Sequence, residues 1–257
     1  MGALHPGHAS LIDRAVRESD HAVVSIFVNP AQFGPNEDFA AYPRDESADL
    51  ALCERLGVAM VFAPNVDEMY PAGDATRVQP GHIAARLEGA ARPGHFAGVA
   101  TVVTKLLAIV RPDVAYFGQK DFQQLRVVQT VARDLRLGVR IAGCPTVRDT
   151  DGLAMSSRNR YLSAEDRRSV LALSRALHAA KEDWSRGERH PAKLRDRVRR
   201  DTAVPGVTLE YVSVADPLTL DELESPADRA VISLAARVGK ARLIDNVLLG
   251  MALEEIA

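Results

Sequence analysis

The sequence predicts an α/β fold in which a doubly wound parallel sheet is followed by a smaller α+β domain. Three observations carry that prediction. The apolar runs HAVVSIFVNP, AMVFAP, VAYFG and VRIAG alternate with amphipathic segments, which is how buried parallel strands and their crossover helices read. Past residue 147 the alternation stops, and TLEYVSV, RAVISLAARV and ARLIDNVLL follow one another with no helix between them, as in a small antiparallel sheet. A chain of 257 residues with 47% hydrophobic residues is also long enough for a substantial core in one large or two smaller domains. The expected domains are therefore 1–147 and 148–257.

Each element has its own signal. Leu11, Ile12, Ala15 and Val16 continue from His8 at the spacing of a helix face, so His8 belongs in a first helical turn with His5 just outside it. The run ending in Asn29-Pro30 reads as a strand buried on both faces. Residues 30–43, with Gly34, Pro35, Glu37 and Asp38, form a loop long enough to act as a flap. Asp45 caps a helix carrying Leu50, Cys53 and Leu56. Residues 65–98 read as loop-rich, with a short helical stretch near Ile83 to Glu88. Helices are expected over 99–110, 122–136, 163–186 and 190–202.

Composition removes several function classes. A net charge of −2 with 26% charged residues excludes a polyanion-binding surface, so no nucleic-acid partner is expected. The basic stretch 195–200 alternates with Asp, Leu and Val and reads as a solvated helix face. No stretch approaches the roughly 18 uninterrupted apolar residues of a membrane span, no signal peptide opens the chain, and Cys53 and Cys144 sit in apolar contexts that suit buried thiols. A cytoplasmic protein without a membrane partner is expected.

Ligands of open parallel sheets bind beyond the carboxyl ends of the strands. Polar clusters fall there. MGALHPGH opens a helix, and Gly7 leaves room for an anion at the amides and positive dipole end. Two histidines near a terminus also read as solvated or structural residues. A zinc site is weaker, since neither HExxH spacing nor an adjacent carboxylate is present. Asn29 and Gln32 follow one strand, and Gly118, Gln119, Lys120 and Asp121 follow another. Lys120 offers a cation to phosphate, or is a solvated charge beside an N-cap Asp121. In MSSRN, Ser156, Ser157 and Arg158 suit a polyphosphate, or form a surface linker.

Six stretches, MGALHPGH, NPAQF, EDFAAYPRD, RPGHFAGVATVVTKLL, YFGQKDFQQL and DGLAMSSRNRYLS, together resemble the pantothenate synthetase (pantoate–β-alanine ligase) family across nearly the whole chain. The resemblance implies a Rossmann-like nucleotidyltransferase domain, with HPGH standing for a HIGH motif and MSSRN for a KMSKS-like loop. It implies ATP-dependent joining of pantoate to β-alanine through a pantoyl adenylate, with AMP and pyrophosphate released. It further implies ATP as substrate, Mg2+ as cofactor and a homodimer.

By the same resemblance, His8, His5, Lys120 and Arg158 are the catalytic set. The ATP-binding set is Met1, Gly2, His5, Gly7, His8, Gly118, Lys120, Asp121, Val147, Met155, Ser156, Ser157 and Arg158. Gln32 and Gln124 would hold pantoate, with Asn29, Tyr42 and His95 in the substrate wall and flap, and Asp49 would assist the Mg2+. Two departures stand out. The family usually reads GEKD where this sequence has Gln119. Its members also carry a helix and a central strand ahead of the histidine motif, so the resemblance implies that this sequence lacks a core strand, at a cost in stability. A nucleotide-binding protein without turnover and a related nucleotidyltransferase are the alternatives.

Overall fold

The computed structural model describes residues 2–35, 37 and 39–256. The chain separates into two compact units. One comprises residues up to Gly118 together with Gln123–Cys144; the other comprises Gln119–Phe122 and Pro145–Ile256.

In the first unit the order is α1 (Pro6–Glu18), β1 (Val23–Ser25), α2 (Glu46–Arg55), β2 (Met60–Phe62), α3 (Val66–Met69), α4 (Leu87–Ala91), α5 (His95–Val110), β3 (Val114–Gly118), α6 (Phe122–Asp134) and β4 (Arg140–Cys144). The strands are parallel, as the alternation with helices requires. They form two pairs, β1 with β2 and β3 with β4. Helix α1 lies across both. Its Ile12 packs with Val24 of β1 and Cys53 of α2. Its Arg14 donates to the Gly143 carbonyl of β4 at 2.9 Å, and its Glu18 accepts from the Tyr116 hydroxyl of β3 at 3.0 Å.

The expectation that β1 and β2 are buried on both faces is corrected. Val24 and Val61, paired in register, pack under α1 and α2, whereas the neighbouring pair Val23 and Met60 points the other way and is 37% and 61% exposed. Period-2 alternation places the two pairs on opposite faces, and only one face is covered. Helix α5 starts at His95, four residues before its expected start, and Asp121 belongs to a short 3-10 turn, Gln119–Asp121, ahead of α6.

In the second unit, α7 (Ala164–Ser185) and α8 (Pro191–Asp201) pack on an antiparallel sheet of β5 (Val207–Ala215), β6 (Ala230–Val238) and β7 (Ala241–Leu249), in the order β5-β6-β7. Ser163 opens α7 with a capping box to Asp166, satisfying amides that a helix start leaves without partners. Val170, Leu173, Leu177, Leu194, Val198, Ile232, Leu234 and Val247 form the core. Among the described residues no helix is long and apolar enough to cross a membrane.

Candidate active site

The histidine motif folds as its spacing predicts. Pro6 starts α1 with its ring pre-set for the first helical position, and His5 is the N-cap. A histidine in that place caps with its ring: Nδ1 of His5 accepts from the Gly7 amide at 3.2 Å, and Nδ1 of His8 accepts from the His5 amide at 3.4 Å. The rings stack with centroids 3.9 Å apart. A ring nitrogen that accepts carries no proton, so in each neutral imidazole the proton sits on Nε2. Both rings are thus donors at Nε2, beside the positive end of a helix. Met1 lies outside the described residues, and Gly2 is buried, where a Cβ would come within 3.2 Å of Val28.

Asp49 serves this same segment. Buried at 3% exposure in the first turn of α2, it accepts from the Ala3 amide through Oδ2 at 2.8 Å and from the Leu4 amide through Oδ1 at 2.6 Å. Both oxygens are engaged by backbone. Among the described residues no group of three or more His, Cys, Asp or Glu could hold a metal. The contacts that Asp49 makes here are with the backbone that carries the histidine motif.

A second cluster joins the turn after β1 to the start of α5. Asn29, 3% exposed, caps the Pro30–Gln32 turn through the Ala31 amide, and its Nδ2 donates to Gln32 Oε1 and the Gly98 carbonyl, each at 3.1 Å. Tyr70, which the sequence did not single out, donates to Asn29 Oδ1 at 2.8 Å. Gly98 is needed here because a Cβ would lie 2.1 Å from the Ala31 carbonyl oxygen. Arg92 pairs with Glu37 through two bonds of 2.7 and 2.5 Å, and also reaches the Gln32 carbonyl at 3.3 Å.

His95 lies between them. Its Nδ1 is 2.8 Å from the Gln32 carbonyl and its Nε2 3.1 Å from Arg92 Nη1. A carbonyl can only accept and a guanidinium only donate, which assigns the proton to Nδ1 of a neutral ring. Burial, joined by the Arg92 charge, lowers the His95 pKa against the opposing pull of the Gln32 carbonyl, Glu37 and Glu88. The Glu37 carboxyl, which burial pushes up, is held below its ordinary value because Arg92 outweighs that penalty. Tyr42 is half-buried, edge-on to Phe33 at 5.7 Å; Asp38 lies outside the described residues.

The second unit carries the other polar set. Lys120, with its ammonium 3.8 Å from Asp121, sits in a turn bonded to Asn246 of β7. After Val147, whose carbonyl accepts from the Met155 amide at 3.0 Å, the chain turns at Gly152, where φ is +92°, and runs into Ser156, Ser157 and Arg158. Ser156 accepts from the Arg158 amide at 3.3 Å, Ser157 is buried, and Asn159 ties the segment to the Ala154 carbonyl. Gly118 ends β3 in open space, with nothing within 4 Å of a notional Cβ.

Comparison with known proteins decides the family. A model of the family described as pantoate-beta-alanine ligase matches residues 1–248. The chain belongs to the pantoate-beta-alanine ligase family. Among its relatives in this family, the pantothenate synthetase of Roseiflexus sp. (strain RS-1) is 56% identical over 97% of this chain and 90% of that protein. That of Moorella thermoacetica is 53% identical over 97% and 88%. The crystal structure of pantothenate synthetase from Thermus thermophilus matches with a TM-score of 0.92 at 49% identity, covering 96% of this chain and 90% of that one. The pantoate-beta-alanine ligase of Francisella tularensis, solved with beta-gamma ATP and beta-alanine, matches at 0.78 with 37% identity, over 98% and 88%.

Sequence reasoning missed three groups in this ligase fold. Arg92 and Glu37 are 55 positions apart, and only folding reveals the pair. Gln123, next to the expected Gln124, is the buried one, bonding the carbonyls of Ile83 and Arg86 and the Glu88 amide. Asn246 was visible as half of a polar pair inside the apolar run ARLIDNVLL, an irregularity that a strand buried among apolar neighbours does not carry without a partner.

Proposed function

We infer that the protein joins (R)-pantoate to β-alanine at the expense of ATP, forming pantothenate through a pantoyl adenylate. Its match to the pantoate-beta-alanine ligase family along residues 1–248 carries the assignment. In the first step a pantoate carboxylate oxygen attacks the α-phosphorus and pyrophosphate leaves. In the second the β-alanine amine attacks the acyl carbon, gives up a proton, and AMP leaves. Neither step needs a covalent enzyme nucleophile, so the protein's work is orientation and neutralisation of growing phosphate charge.

The residue roles that the family resemblance implies stand here as proposals. His5 and His8 donate from Nε2 to phosphate oxygens, with Gly2 and Gly7 leaving room at the helix start. Lys120, Ser156, Ser157 and Arg158 supply cations and hydroxyls to phosphate, Met155 flanks them, and Gly118, Asp121 and Val147 contact the nucleoside. Gln32 and Gln124 hold pantoate, with Asn29, Tyr42 and His95 as wall. ATP is the co-substrate and would bring Mg2+, which would neutralise charge on the phosphates, with Asp49 the carboxylate nearest the histidine motif to assist it. The protein works as a homodimer in the cytoplasm, to be tested by sedimentation and cell fractionation.

The direct test measures nucleotide products. AMP and pyrophosphate should appear in equal amounts, and sustained AMP release should need pantoate and β-alanine together. Release of ADP, or turnover indifferent to either acid, would overturn the assignment.

A further inference from the structure

Residues 119–122 follow β3 in sequence, yet they cluster with the second unit. One side chain ties this turn to that unit. Asn246, in the middle of β7 and 3% exposed, donates both hydrogens of Nδ2, to the Gln119 carbonyl at 3.0 Å and the Lys120 carbonyl at 2.9 Å. Its Oδ1 accepts from Gln119 Nε2 at 3.3 Å. The carbonyls accept only, so the orientation of the Asn246 amide is fixed by its partners.

Asn246 is itself held. Its own amide donates to Asp245 Oδ1 at 2.8 Å, and the buried Asp245 carboxylate forks onto Arg148 at 2.7 and 2.9 Å. Arg148 also donates to the Gly152 carbonyl at 3.2 Å, and its backbone bridges to Ala154, at the neck of the turn that delivers Met155 to Arg158. A line of hydrogen bonds, joined through the Asn246 backbone, therefore runs from the Lys120 carbonyl through Asp245 and Arg148 to Gly152 and Ala154, just ahead of the serine and arginine segment and inside one unit. A buried polar group costs free energy unless it is bonded, and bonded networks fix geometry.

We propose that Asn246 is the positioning residue for Lys120, and that the line Asn246–Asp245–Arg148 holds the Lys120 ammonium in register with Ser156, Ser157 and Arg158 as one pre-arranged phosphate-binding set. The proposal rests on the ligase assignment. Asn246 touches no substrate atom in this scheme and acts only through the turn it holds. Gln119 has a specific part: its Nε2 is a donor that a glutamate at this position lacks.

The test uses the full chain and four variants: Asn246→Asp, Gln119→Glu, Lys120→Ala, and Asn246→Asp combined with Lys120→Ala. Aspartate keeps the shape of Asn246 but turns an oxygen toward two carbonyls. A misplacement on the order of 1 Å costs about 100-fold in rate, so kcat/KM for ATP should fall about 100-fold while KM for pantoate stays within about 2-fold. In the Lys120→Ala background the Asn246 change should add nothing, because the group it positions is gone. A further loss of about 100-fold there, or an unchanged rate in the single variant, overturns the proposal. If Asn246→Asp does not melt cooperatively, Gln119→Glu replaces it, with a loss of about 10-fold expected for one misdirected bond and none on adding it to Lys120→Ala. Wild-type protein that releases no AMP with both acids present is evidence against the ligase assignment, whereas active wild type with indifferent variants counts against Asn246 alone.

Discussion

Replacing Asp49 by alanine separates a structural carboxylate from a metal ligand. The substitution strands two backbone amides, of Ala3 and Leu4, that now donate at 2.8 and 2.6 Å. Ala3 is 3% exposed, so water does not replace the carboxylate there; Leu4 is half-buried and recovers part of the loss. At about 1 to 3 kcal/mol for each stranded group, weighted down for Leu4, the cost is about 2 to 4 kcal/mol. A chain of this size loses about 2 to 4 °C of Tm per kcal/mol, so melting followed by circular dichroism should show a drop of about 5 to 15 °C. Asp49→Asn, which keeps one acceptor, should fall between the variant and the wild type. A Tm within about 1 °C of wild type for Asp49→Ala, accompanied by a raised Mg2+ requirement, would falsify the structural role and restore the metal one.

Gly98→Ala should destabilise the protein although alanine is the better helix former. The gain of about 1 kcal/mol in α5 is set against a Cβ placed 2.1 Å from the Ala31 carbonyl oxygen, and overpacking of that kind costs about 1 to 3 kcal/mol. The turn carrying Gln32 must move, so KM for pantoate should rise while KM for ATP holds; a raised Tm with unchanged KM refutes this. For His95 the native pKa lies below the ordinary 6.5 because of burial and Arg92. The unfolded chain then binds the proton more readily, so stability is full above about pH 6.5 and declines as pH falls toward the native value. Urea unfolding across that range should show the decline in wild type and a shallower one in His95→Gln; equal slopes count against it.

Much of this structure was legible in sequence where a single local rule governs. The α1 start follows from the spacing of Leu11, Ile12, Ala15 and Val16 behind His8, and the long helix over 163–186 is found as α7. The antiparallel β5, β6 and β7 follow from apolar runs without helices between them. What was not legible depends on partners far away in sequence. Apolar continuity promised strands β1 and β2 covered on both sides, but coverage is a property of neighbours, and Met60 found none on its outer face. The histidine, lysine and serine motifs suggested phosphate chemistry by residue type. The side chains that hold the histidine segment, the Gln32 turn and the Lys120 turn, which are Asp49, Arg92 and Asn246, acquire meaning from bonds spanning tens of positions.

Helix α1 has a second consequence. The segment proposed to offer His5 and His8 to an anion is also the piece that touches both strand pairs, through Ile12 on one side and Arg14 and Glu18 on the other. Ligand affinity and internal cohesion then share one free energy. Whatever occupies the helix start shifts the opening equilibrium of α1, and with it that of β1 to β4, by RT ln(1 + [L]/Kd). Conversely, a change that loosens either pair weakens the anion only to the extent that it populates the open form. Nucleotide should therefore slow amide hydrogen exchange in strands it never touches, and the strands of both pairs should respond together.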